Sequence, residues 1–218
     1  MDIRIADDLN TQKPLRIVKF LYLLSALILC GHSLVKGDWF SAATFLSTLI
    51  LFPGIALLRR LFHLNGGFQM ELFVYLFSFL SWTMGGAGSV YRRLPGYDKI
   101  VHCLSGVFVS MLALAFFRML ERGHNSEGKN SATARWFVFF ASMAVAGMFE
   151  LCEFTLAPIM GRDLQHVLDT GVADTMGDIF VCMLGTIVYV LLMLRQDHGK
   201  PCFLVNAAEA FVDQNPKR

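Results

Sequence analysis

Six stretches of this chain, residues 17–35, 38–58, 68–86, 98–117, 135–158 and 173–194, are apolar over nearly their whole length. Nothing else in the sequence restricts its folding as strongly. At 1.5 Å per residue, each is long enough as an α-helix to cross a hydrocarbon core of about 30 Å. Composition agrees with that reading. Of 218 residues, 55% are apolar and 17% are charged, where a soluble domain carries about 25% charged residues. Lipid therefore replaces water over much of the exterior, and a soluble enzyme is excluded. The net charge of +2, from 19 basic and 17 acidic residues, is too small and too dispersed for a nucleic-acid footprint. The partner expected is the lipid bilayer, with no nucleic acid.

The fold expected is all-α: a polytopic membrane protein with six transmembrane helices. Residues 1–16 form a cytoplasmic N-terminal segment, 17–195 the transmembrane domain, and 196–218 a cytoplasmic tail with a short amphipathic segment around Phe203 to Val212. The first apolar run is too long for a signal core and no A-x-A site follows it, so it reads as a retained anchor. Pro53 marks a kink and Pro158 a helix end. The five cysteines have no CxxC spacing and read as small core hydrophobes. Phe and Met side chains are expected to face lipid or fill the core, and Glu71, His32 and His63 to lie at the interface.

Basic residues set the orientation, because cytoplasmic flanks accumulate Lys and Arg. One side collects 14: Arg4, Lys13, Arg16, Lys19, Arg59, Arg60, Arg118, Arg122, Lys129, Arg135, Arg195, Lys200, Lys217 and Arg218. The other collects five: Lys36, Arg92, Arg93, Lys99 and Arg162. Both termini are thus expected in the cytoplasm of a bacterial inner membrane.

Ionisable groups inside spans are costly unless they face a partner within the bundle, so each one asks for a role. They occur here in three pairs. GYDKIVHCLSG places Asp98 and His102 four apart, FELCEF places Glu150 and Glu153 three apart, and ADTMGD places Asp174 and Asp178 four apart. These spacings put each pair on one helix face. With the N-terminus inside, Asp98, His102, Asp174 and Asp178 lie within roughly 10 Å of the outer surface, and Glu150 and Glu153 roughly 22 to 27 Å along a helix running outward. All three pairs therefore reach the outer half. Gly106, Ser110, Gly147 and Cys182 continue their faces and favour close helix packing.

Five carboxylates and an imidazole cannot all stay charged in one apolar pocket: protons are shared or a cation neutralises them. A hard divalent metal held by Asp98, His102, Glu150, Glu153, Asp174 and Asp178 is one solution. His102, Glu150, Glu153 and Asp178 are the candidate catalytic acids and bases. Arg92 and Arg93, with Lys99 and Arg162 nearby, are candidates for holding an anionic headgroup or phosphate. Other readings stay open. Asp98 and Asp174 lie near helix starts, where Asp caps, and the remaining groups can form a hydrogen-bond network that holds helices together.

Known catalytic signatures do not fit. HCLSGVF around Ser105 lacks the initial Gly of the rhomboid serine motif, and no His follows in the last span. The adjacent glutamates of CAAX-type proteases, the P-S-G-H element of lipid phosphatases and H-E-x-x-H are all missing. Gly85-Gly86-Ala87-Gly88 lacks the context of a nucleotide loop and reads as a turn.

The succession GYDKIVHCLSG, FELCEF and DTGVADTMGDIFVCMLG, from about Tyr97 to Gly185, resembles the YjdF-type bacterial inner-membrane proteins and, more distantly, the VanZ-like family. The resemblance implies an Asp-x-x-x-His helix start, an acidic motif one helix later and an Asp-rich final helix, and carries over Asp98, His102, Glu150, Glu153, Asp174 and Asp178. VanZ-like members often have Gln after the Glu and Asn in the last helix. Glu153 and Asp178 depart from that, favouring the YjdF type and weakening any inference of glycopeptide resistance. The resemblance implies a site and brings no reaction with it. Three functions are compatible: hydrolysis or transfer, with a metal, on an envelope or lipid-linked substrate; proton- or cation-coupled transport or binding; and a structural role for a polar helix-locking network.

Overall fold

The computed structural model describes residues 3–64, 67–88, 90–121, 131–161, 163–165 and 167–215, with side chains from Gln12 onward except that of Arg92. Among these residues every regular element is helical. The helices are α1 (Ile3–Val35), α2 (Trp39–Ser47), α3 (Leu51–Leu61), α4 (Phe68–Ser78), α5 (Val90–Arg93), α6 (Tyr97–Glu121), α7 (Ser131–Met160), α8 (Val167–Thr170), α9 (Ala173–Asp197) and α10 (Phe203–Gln214). A 3₁₀ turn, Thr48–Ile50, joins α2 to α3, and a π-helix, Phe79–Ala87, continues α4. Five segments are long and apolar enough to cross a membrane: Gln12–Val35, Trp39–Leu61, Tyr97–Glu121, Ser131–Met160 and Ala173–Asp197. They coincide with five of the six expected spans. The sixth, 68–86, is helical but changes from α to π at Phe79.

Local chemistry accounts for the breaks. Gly37, at φ +73, ends α1 in a conformation that L side chains avoid. Asp38 then caps α2, its Oδ1 accepting from the Ser41 amide at 3.0 Å. The 3₁₀ turn lies just ahead of Pro53, whose ring has no N–H for the Leu49 carbonyl and crowds it. Pro158 sits in the last turn of α7, and Gly161 follows at φ +61. All five cysteines are free thiols.

Contacts divide the chain into two compact units, residues 1–97 with 210–218, and residues 98–209. In the first unit α1 packs on α2 and α4. Its core is aromatic: Tyr22 meets Tyr75, Phe52 and Phe79 edge-on at centroid distances of 5.5, 5.9 and 6.5 Å. The Tyr22 hydroxyl donates to the Thr48 carbonyl at 3.1 Å, inside the 3₁₀ turn. Glu71 of α4 is 6% exposed and carries two cations, Lys19 of α1 and Arg59 of α3, the latter at 2.6 Å. It is a buried clamp between three helices. The end of α10 seats on the entry to α4, where the Gly67 amide donates to Gln214 and the Phe211 ring fills the place of a Cβ.

The second unit is built on α6, α7 and α9. Arg135 near the start of α7 pairs with Asp197 at the end of α9, so these two helices run antiparallel. α6 and α9 run parallel and touch backbone to backbone. A Cβ on Gly106 would collide with the Cys182 carbonyl oxygen, and one on Gly185 with that of Cys103. Arg118, buried near the end of α6, donates to Glu121 at 2.8 Å and to Glu209 of α10 at 3.2 Å. The glycine crossing fixes the register that brings the starts of α6 and α9 together.

Candidate functional site

At those helix starts four charged side chains and an imidazole converge. Lys99 Nζ lies 2.6 Å from Asp174 Oδ1, 2.8 Å from Asp178 Oδ1 and 3.5 Å from Asp98 Oδ2. His102 Nε2 is 3.5 Å from Asp98 Oδ1 and 3.7 Å from Asp178 Oδ1, contacts that become ion pairs only when the imidazole is protonated. Exposure grades from the rim inward: Lys99 33%, Asp98 28%, Asp174 16% and Asp178 4%. Gly177 makes room for the lysine, since a Cβ there would stand 3.3 Å from Lys99 Cε. Three ionised aspartates around one ammonium leave the group net negative, and it stays net negative even when His102 is protonated.

The cluster joins Asp98, His102, Asp174 and Asp178, four of the six residues singled out as metal ligands. The two glutamates behave differently. Glu150 is buried, and Gln165 donates to its Oε2 at 3.2 Å and to its main-chain carbonyl at 3.1 Å. Glu153, one turn further along α7, is partly buried. Among the described residues no hydrogen bond or ion pair ties either glutamate to the aspartates. Both glutamates nevertheless lie within electrostatic range of His102, and the His102 and Phe149 rings meet edge-on, 5.8 Å apart, next to Glu150 in sequence. Arg93 is exposed on α5 in the first unit. The Arg92 side chain and Arg162 lie outside the described residues.

Two members of the site were not read as such from sequence. The sequence places Lys99 beside the mouth as a group for an anion, not as the counter-ion of the aspartates, because a neighbour at i+1 does not share a helix face with Asp98. Its length carries the ammonium across to α9. Gln165 lies in the loop after α7, where no periodicity marks it. Of the small residues, Gly106 and Cys182 do line a close crossing, whereas Gly147 has nothing within 4 Å of a built Cβ and serves no close contact.

One oxygen each of Asp98 and Asp178 and one ring nitrogen of His102 lie within 4.8 Å of one another. Hard divalent cations take oxygen and imidazole donors at about 2.0–2.6 Å, so a single ion can reach all three. It would compete with Lys99 for Asp178 Oδ1, the atom the ammonium and imidazole share.

Several long apolar helices with a charged cluster set among them define a helical membrane protein. The family model described as "Predicted membrane protein (DUF2238)", the YjdF family, matches residues 15–198, and the chain belongs to that family. No curated protein and no solved structure matches it.

Proposed function

We propose that this protein is a six-span bacterial inner-membrane protein, with both termini cytoplasmic, whose α6–α9 cluster opens toward the outer leaflet. There it works with a divalent cation in hydrolysis or transfer on an envelope or lipid-linked substrate. The observation that carries the reading is the convergence of Asp98, His102 and Asp178, from two helices fixed by a glycine crossing, within reach of one ion. In this reading Asp174 steadies Lys99, and Glu150 and Glu153 supply further acid or base groups from α7. Arg92 and Arg93 hold an anionic group, a role resting on their place in the chain just ahead of Asp98. A hard ion would supply charge for the polarisation of a carbonyl or phosphoryl oxygen. The more distant VanZ-like kinship carries no activity into this proposal.

A second reading has its own observation. Lys99 already supplies one positive charge to the three aspartates, at 2.6 and 2.8 Å from two of them. A cluster partly neutralised by its own lysine suits proton- or cation-coupled binding, or a helix lock, without a metal.

Elemental analysis of the purified full chain in detergent separates the two. The first reading expects about one divalent ion per chain, lost in His102→Ala and Asp178→Asn and retained in Lys99→Met. Metal-free wild-type protein after purification without chelator, or metal content indifferent to both ligand substitutions, sinks it.

A further inference from the structure

From the cluster a series of polar contacts runs inward through the α6–α7–α9 unit. Ser105 Oγ donates to the His102 carbonyl at 2.7 Å and lies 3.7 Å from Cys182 Sγ. Thr186 Oγ1 donates to the Cys182 carbonyl at 3.0 Å and shares a 2.8 Å hydrogen bond with Ser142 Oγ. Ser142 in turn reaches the Gly106 carbonyl at 3.4 Å. One turn beyond Gly106 stands Ser110, fully buried, its hydroxyl without a hydrogen-bond partner among the described residues.

That orphan hydroxyl is the informative atom. A helical serine ordinarily donates to the carbonyl four residues earlier, which for Ser110 is Gly106. Here Ser142 approaches that carbonyl, at the long end of hydrogen bonding. Buried polar groups in helical cores are nearly always satisfied, by protein or by ordered water. Empty cavities are apolar, and a buried water needs two to four polar partners.

We propose that Ser110 holds an internal water at the inner end of this series. The Ser110 hydroxyl, the second lone pair of the Gly106 carbonyl and the Ser142–Thr186 hydroxyl pair supply its partners. The outer cluster is thereby linked by hydrogen-bonding groups to a hydrated point at the centre of the three-helix unit, and this holds for either reading of the cluster.

Radiolytic hydroxyl-radical footprinting of the full chain in nanodiscs, read by mass spectrometry, tests the proposal, because an internal water generates radicals in place. Cys182, whose carbonyl accepts from Thr186, and Met111, next to Ser110 in sequence, are each 2% exposed; Cys30 at 6% and Met193 at 4% are the matched controls. Cys182 is expected to oxidise several-fold faster than Cys30, and Met111 several-fold faster than Met193, against the order of exposure. Ser110→Ala removes a partner of the water and should bring both rates down to the controls while leaving Cys30 unchanged. Rates that follow exposure, or that ignore Ser110→Ala, overturn the proposal.

Discussion

The buried acids are each matched to cations or an amide from elsewhere in the chain, and that matching makes them sensitive to single-atom change. Glu71 is the clearest case: its carboxylate carries Lys19 and Arg59, whose own exposures are 34% and 25%. Glu71→Gln preserves shape and leaves two cations facing a neutral amide. Because both cations reach solvent or headgroups in part, the expected loss is about 1–3 kcal/mol, below that of a fully buried pair. Thermal denaturation in detergent reads it, and an unchanged midpoint would mean that the cations are satisfied elsewhere. None of this triad was legible in sequence, since Lys19, Arg59 and Glu71 come from three helices and no spacing rule links them. The aspartates were legible, because Asp98/His102 and Asp174/Asp178 each repeat at four on a helix. Their counter-ion was not: Lys99 reaches its partners by side-chain length rather than by register.

At the level of elements, apolar run length located five spans to within a few residues, because a membrane helix must satisfy its backbone internally over a fixed thickness. Helix pairing needed the structure, for the sequence offers several small residues and does not say which of them meet. Gly106 and Gly185 form the α6–α9 crossing, while Gly147 looks onto open space. The three positions therefore make a matched experiment. Gly106→Ala and Gly185→Ala each drive a Cβ into a backbone carbonyl that cannot swing aside, and each should cost about 1–3 kcal/mol. Gly147→Ala should leave stability unchanged or raise it by up to about 1 kcal/mol, since Ala is the better helix former. Unfolding of the three purified variants in a denaturing-detergent titration measures the difference. If Gly147→Ala were as damaging as the other two, the assigned crossing would be wrong. The crossing also sets the cluster, so Gly106→Ala should disturb the Lys99–Asp178 contact although it lies seven residues from Lys99.

For the molecule as a whole, everything about sidedness turns on residues 68–87. This stretch is 11 α-helical and nine π-helical residues, about 30 Å long at most if all of it rose as an α-helix. That is just enough to cross the hydrocarbon core. If it crosses, α6 and α9 both start at the outer face and the cluster opens outward. If it only dips in and returns, every later element inverts: the cluster faces the cytoplasm and the C-terminus lies outside. The distribution of charge favours crossing, because only then do Arg59 and Arg60 share a side with Arg118, Arg135 and Arg195. A cysteine-free chain carrying Asp169→Cys, at an exposed position on α8, should react with a membrane-impermeant maleimide in right-side-out vesicles. The same chain with Lys200→Cys, exposed just beyond α9, should react only after the vesicles are opened. The reverse pattern would place the cluster on the cytoplasmic side. It would also remove any role for an outer-leaflet or envelope substrate while leaving the chemistry of the cluster intact.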